Sequence, residues 1–227
     1  MPELARKTLS LTHRVRGPLI DAPRGRRPPI AILLHGVGSN ELAMAGLGPS
    51  LDPRLIVLSA RAPKPVGTFS WAWLDVEFTP DGPVIDADEA RGAWTGTAAF
   101  VAEAAAAYEA DPARVFLGGF SQGGIVSLMT MLTAPELLAG AFCLSGRLPA
   151  EVLGAAASRD RLAGKAVLIV HGRDDDILEV DYARSARRIL TDLGTELTYE
   201  ELPIGHTTTP ESSALLSAWL TGCLDRV

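Results

Sequence analysis

Five short runs are apolar at nearly every position: "IAILL" from residue 30, "LIVLS" from 55, "RVFLG" from 114, "GAFCLS" from 140 and "AVLIV" from 166. A strand with one wet face alternates apolar and polar residues, whereas strands buried on both faces read as continuous apolar runs. Between these runs lie helix-type stretches at 88–110, 122–134, 182–194 and 210–224, the first stopped by Pro112 and the third by Gly194. Strand and helix in alternation predict an α/β chain with a mostly parallel central sheet and helices on both faces. Such sheets bind ligands beyond the carboxyl ends of their strands. Ahead of the runs, "TLSLTHRVR" (8–16) alternates at Leu9, Leu11 and Val15, which predicts a half-exposed strand with His13 at the surface.

With 227 residues, 47% hydrophobic and 21% charged, the chain can bury one large core, and no repeat or low-complexity linker divides it. One domain over residues 1–227 is expected, with "GAAASRDRLAG" (154–164) as a surface connection. A net charge of −6 offers no cationic excess to neutralise phosphates, and the lone basic run, "RGRRPP" (24–29), reads as a solvated loop. Nucleic acid is therefore not an expected partner. The apolar window 125–144 would suit a membrane span except that Pro135 and Glu136 sit in its middle, so it reads as helix, break, strand. No integral membrane segment is expected. "MPELARKTL" puts charges where a signal peptide needs its apolar core, which predicts a cytoplasmic chain. Cys143 and Cys223 show no metal-type spacing and read as buried or unpaired thiols.

The strand ends carry "HGVGSN" (35–40), "GFSQGG" (119–124), "SGRLP" (145–149), "HGRDDD" (171–176) and "GHTTT" (205–209). Gly119-Phe120-Ser121-Gln122-Gly123 is a G-x-S-x-G pattern, which chance would supply roughly 0.1 times in a chain of this glycine and serine content. Its setting, a strand before and a helix after, is that of a nucleophile elbow, whose strained turn lifts a serine clear of the sheet. A serine needs a base, and the base needs an acid to hold its tautomer. In the chain order Ser, Asp/Glu, His, only His206 follows both Ser121 and the acidic cluster, so His206 is the expected base. His35 and His171 each begin an "HG" pair and are expected to brace turns. Any of Asp174, Asp175 and Asp176 could supply the acid on these grounds. Backbone N–H groups of Gln122 and of Val37, in the glycine-flanked loop after the first run, are the expected oxyanion donors.

Taken in order, "LLHGVGSN", "YEADPARVFLGGFSQGG", "LSGRLP", "HGRDDDIL" and "GH" resemble the phospholipase/carboxylesterase family of α/β-hydrolases, which includes the acyl-protein thioesterases. The resemblance runs from about residue 30 to 224. It implies a serine hydrolase without cofactor or metal that cleaves carboxylic esters or thioesters, with Ser121 as nucleophile, His206 as base and Asp175 as acid. Asp175 is selected as the fifth residue of "HGRDD". The alternatives are a hydrolase of lactones of the dienelactone type and a non-catalytic ligand-binding protein on the same scaffold. "AWLDV" (72–76) resembles a family A-W-F-D segment beside the acyl pocket, which places Trp73 and Leu74 near substrate, with Leu74 in place of the usual Phe. The stretch from Ala60 to Asp86 shows no clear regular structure and is long for a loop, so it reads equally as a lid or pocket wall and as a hydrophobic cluster around Phe69, Trp71 and Trp73. Few basic residues flank it, which favours a neutral or apolar, lipid-like acyl ester. A homodimer is left open.

Overall fold

Successive residues of a strand point to opposite faces of its sheet, so each apolar run must feed two cores at once. The computed structural model, which describes residues 4–79 and 82–226, has strands β1 (His13–Arg16), β2 (Ile30–Leu34), β3 (Ile56–Ala60), β4 (Lys64–Gly67), β5 (Ser70–Ala72), β6 (Glu77–Thr79), β7 (Gly82–Val84), β8 (Val115–Phe120), β9 (Gly140–Leu144), β10 (Ala166–Gly172) and β11 (Glu196–Leu202). Its α-helices are α1 (Glu41–Ala45), α2 (Ala87–Ala107), α3 (Gln122–Thr133), α4 (Arg159–Leu162), α5 (Val180–Asp192) and α6 (Pro210–Asp225). The main sheet runs in the order β1-β3-β2-β8-β9-β10-β11, with β1 antiparallel to β3 and every other pair parallel.

Ile30, Ile32, Leu34, Leu117 and Ile169 pack on one face beneath α2, α3 and α5. Ala31, Leu33, Phe116, Phe142 and Leu168 pack on the other beneath α1 and α6. The central helix α3 is buried from Gln122 through Leu132, which explains why its sequence is apolar all round. The window 125–144 resolves as most of α3, a turn at Pro135 and the strand β9. No helix among the described residues is long and apolar enough to cross a membrane. Arg24, Arg26 and Arg27 are exposed around a turn closed by the Arg26 N–H donating to the Pro23 carbonyl. Both cysteines are unpaired, and burial pushes the Cys143 thiol up to about 12.

The edges of the sheet depart from expectation. Only residues 13–16 of the segment 8–16 form a strand, because the N–H and Oγ of Ser10 bond the Glu103 carboxylate on α2 rather than a ladder partner. His13 is buried, not at the surface. Its Nδ1 lies 3.0 Å from the Leu11 carbonyl and its Nε2 2.6 Å from the Tyr108 hydroxyl, and burial lowers its pKa from the ordinary value. Residues 60–86 are likewise not without regular structure: β4 pairs with β5 and β6 with β7 as two short antiparallel hairpins. These strands, of three or four residues each, are too short to show an alternating pattern in the sequence. The stretch 154–164 contains α4. Residues 80 and 81, inside the stretch 60–86, and residues 1–3, on which part of the N-terminal leader expectation falls, lie outside the described residues.

One contact tests how tightly the two sheet faces are filled. Gly118 pairs with Phe142, and a Cβ at Gly118 would sit 2.2 Å from the Phe142 ring. We expect Gly118→Ala to cost about 1–3 kcal/mol by overpacking and Phe142→Ala about 3–5 kcal/mol by leaving a cavity. Because the first substitution needs the space that the second vacates, urea unfolding of the double variant should show a loss smaller than the sum by about 1 kcal/mol or more. Additive losses would refute the contact.

Candidate active site

The chain leaves β8 and enters α3 through Ser121, whose backbone sits at φ 52° and ψ −119°. A side chain at positive φ is strained and persists only where its surroundings hold it. Here the Ser121 N–H donates to the Leu144 carbonyl at 2.8 Å and its carbonyl accepts from the Ile125 N–H at 3.0 Å. The flanking glycines meet a different demand. A Cβ on Gly119 would lie 2.0 Å from the Leu34 carbonyl oxygen and one on Gly123 2.2 Å from the same atom, so the end of β2 can press on the turn only where no side chain intervenes.

His206 lies in the loop that follows β11, with its Nδ1 2.8 Å from Asp175 Oδ2 and its Nε2 2.9 Å from Ser121 Oγ. A carboxylate oxygen only accepts, so Nδ1 carries the proton and Nε2 presents a lone pair to the serine hydroxyl. The other oxygen of Asp175 accepts from the N–H groups of Ile177 and Leu178, at 3.0 and 2.8 Å. Asp174 and Asp176 are exposed, while Asp175 is buried. Gly172 makes the approach possible, because a Cβ there would lie 2.2 Å from the Ile204 carbonyl and block the loop carrying His206. The "HG" pair in the sequence was the signal for this crossing.

Both bracing histidines are buried and bonded to backbone. His35 Nδ1 donates to the Gly36 carbonyl at 2.7 Å, a tautomer fixed by the Ala62 N–H donating to its Nε2 at 3.0 Å, and burial lowers its pKa. His171 Nε2 donates to the Leu178 carbonyl at 2.7 Å and stands 3.3 Å from Asp175 Oδ2, beneath the same turn.

The loop after β2 holds Val37 beside Ser121, and the Val37 N–H donates to no acceptor among the described residues. Gln122 opens α3, so its N–H has no intrahelical partner. The Gln122 side chain clamps the segment 60–86: its Oε1 accepts from the Trp73 N–H at 2.6 Å and its Nε2 donates to the Leu74 carbonyl at 2.8 Å. Trp73 spends its indole N–H on the His35 carbonyl at 2.8 Å and is buried in the core. Leu74 lines the cavity of about 280 Å³ that opens at Ser121, whereas Trp73 lines a separate groove and does not reach it. Phe69, 76% exposed, belongs to neither. The segment is thus pocket wall at Ala72, Leu74, Val76 and Pro83, and buried cluster at Trp73.

The sequence model of the phospholipase/carboxylesterase family matches residues 16–224. The chain belongs to this family. It is 28% identical to an acyl-protein thioesterase 1 of Mycosarcoma maydis over 89% of this chain and 95% of that one. It is 32% identical to an acyl-protein thioesterase 1 of Gibberella zeae, where the matched stretch spans 48% of each, about half the length of that curated relative. Among solved structures, esterase PE8 superimposes with a TM-score of 0.82 at 27% identity, covering 95% of this chain and 100% of that one. The family is one of carboxylic ester hydrolases, and its mostly parallel sheet with flanking helices is the α/β-hydrolase fold seen here.

The Gln122 clamp carries its own test. Gln122→Ala leaves the Trp73 N–H and the Leu74 carbonyl buried without partners, at about 1–3 kcal/mol each. Stability in urea should fall by about that amount, and thermolysin should cut faster within residues 60–86. Unchanged stability with unchanged protection would show that the clamp holds nothing.

Proposed function

We propose that this chain is a serine hydrolase that cleaves carboxylic esters or thioesters through an acyl-serine intermediate. The observation that carries the reading is the unbroken hydrogen-bonded line from Asp175 through His206 to Ser121, ending at a hydroxyl on a strained turn. In this reading Ser121 Oγ attacks the carbonyl carbon as His206 Nε2 takes its proton, and Asp175 holds the ring and stabilises the imidazolium. Val37 and Gln122 donate their backbone N–H groups to the oxygen that becomes negative. Collapse of this intermediate expels the alcohol or thiol, which receives the proton from His206. Water then repeats the sequence in the second half and releases the acid. No step needs a group that these residues lack. The names of the acyl-protein thioesterase and esterase relatives favour the same chemistry over lactone opening.

Ser121→Ala should fold normally, resist labelling by a fluorophosphonate probe, and lower kcat on a phenyl ester by about 10⁴–10⁶. A purified variant with near wild-type kcat, or a wild-type protein that the probe leaves unlabelled, would overturn the reading.

The acid is tested separately. Asp175→Asn keeps the turn but allows the wrong tautomer of His206, a change worth about 10⁴ in kcat for a serine protease triad. Asp174→Asn and Asp176→Asn, at exposed positions, should cost far less. A larger loss from either of these would move the acid off Asp175 while leaving the roles of Ser121 and His206 intact.

A further inference from the structure

One buried cation in this pocket has no counter-ion. Arg147, two residues beyond the positive-φ residue Ser145 that follows β9, is only 6% exposed and lines the cavity of about 280 Å³ at Ser121. Its neighbour Gly146 packs so closely on the elbow that a Cβ there would lie 3.0 Å from the Ser121 carbonyl oxygen. The guanidinium sits beneath the second hairpin. Nη2 donates to the Pro83 carbonyl at 2.9 Å, and the guanidinium carbon lies 5.9 Å from the Tyr182 ring centre.

What the guanidinium lacks is more informative. An arginine side chain has five N–H donors and keeps its charge at any pH a protein meets. Among the described residues, Nε and Nη1 have no hydrogen-bond partner and no carboxylate lies within ion-pair distance. Burial lowers the arginine pKa, and Glu151, acting from a distance, offsets this only in part while its own Oε1 accepts from the Ile85 N–H. A largely buried charge with no carboxylate beside it is costly, and a ligand that brings an anion to its free N–H groups recovers part of that cost. Most of the remaining lining is apolar, with Ala72, Leu74, Val76, Ile125 and Leu178, and the one carboxylate on it, Asp75, is already paired with Lys64 at 2.6 Å.

The position of the base decides which half of the substrate enters. The leaving atom must sit against His206 Nε2, which returns the proton to it. Phe120, whose ring lies 5.0 Å from that of His206, and Thr208 line a second cavity of about 280 Å³ on the other side of Val37. His206 and its neighbours do not line the cavity of Arg147. The leaving group therefore takes the Phe120 side and the acyl chain takes the Arg147 side.

Resting on the serine hydrolase reading, we propose that Arg147 is a specificity residue that binds a carboxylate at the far end of a short acyl chain, so that the preferred substrates are half-esters or half-thioesters of dicarboxylic acids. Guanidinium and carboxylate match in charge and in their paired donor and acceptor geometry. A volume just below the usual range of about 300–1,000 Å³ for small-molecule sites suits a chain of a few carbons. The neutral substrate suggested by residues 60–86 alone overlooked this cation, which arrives from a different strand end.

The test compares phenyl valerate with monophenyl glutarate, which share a leaving group and a five-carbon acyl chain and differ in the terminal carboxylate. Wild-type kcat/KM should favour the glutarate by about tenfold or more, as expected when a buried polar group is otherwise left unpaired. Arg147→Met should bring that ratio to one or below, and Arg147→Lys should retain part of it. A wild type that prefers the valerate, or an Arg147→Met variant that keeps the wild-type ratio, overturns the proposal. So does a preference for an anionic leaving group on a neutral acyl chain that Arg147→Met abolishes, because it would put the cation on the wrong side. If wild type cleaves the valerate and takes the fluorophosphonate label, any such failure belongs to Arg147 alone. If it does neither, the hydrolase reading itself has failed.

Discussion

The carbonyl oxygen of Leu34 is the atom against which the functional end of this molecule is built. It lies where the side chains of both Gly119 and Gly123 would begin, so the last residue of β2 touches the turn around Ser121 through backbone alone. That contact sets the distance between the loop carrying Val37 and the first turn of α3. It also leaves Ser121 no room to relax from its positive φ, since β9 holds its N–H and α3 its carbonyl. Strain of this kind, of the order of 1–3 kcal/mol, survives only when the surroundings over-determine it. Here three parallel strands and a fully buried helix do so.

The same economy governs the other half of the site. Gly172 lets the 204–206 loop cross the end of β10, and Asp175 reaches back to anchor both its own turn and the imidazole. Gln122 contributes in two ways, offering its backbone N–H to the pocket while its side chain fixes the wall opposite. Residues far apart in the chain are thus held by close backbone contacts and by side-chain hydrogen bonds to backbone, and apolar packing is left to the two cores beneath.

The strands and helices of the main sheet were legible because burial on both faces forces apolar residues at consecutive positions, as in "IAILL" and "AVLIV". The elbow was legible because "GGFSQGG" follows a strand and precedes a helix, and chain order singled out His206. Asp175 was not legible from the residues alone, since three consecutive aspartates look alike until the turn buries one of them; only the family resemblance chose it. The hairpins between residues 60 and 86 escaped because strands of only three or four residues are too short to carry a periodic signal. His13 was misplaced because a histidine can be buried on the strength of two hydrogen bonds that a one-dimensional pattern does not show. Trp73, expected near substrate, has its two N–H groups bonded to His35 and Gln122 and its ring on a groove apart from the Ser121 cavity, contacts that its place in the sequence did not show. Arg147 went unread for the opposite reason, because its significance lies in partners it does not have.

Ser121 and His206 are 85 positions apart, and Asp175 stands 31 before the histidine. Closing such long loops costs entropy that is recovered only when the intervening strands have paired. β8, β9, β10 and β11 must therefore all be in register before the three side chains can meet. A partly folded chain missing only its last strand would hold no assembled site, because His206 lies just beyond β11. During synthesis or refolding, the hydrogen-bonded line from Asp175 through His206 to Ser121 is therefore absent until these strands have paired.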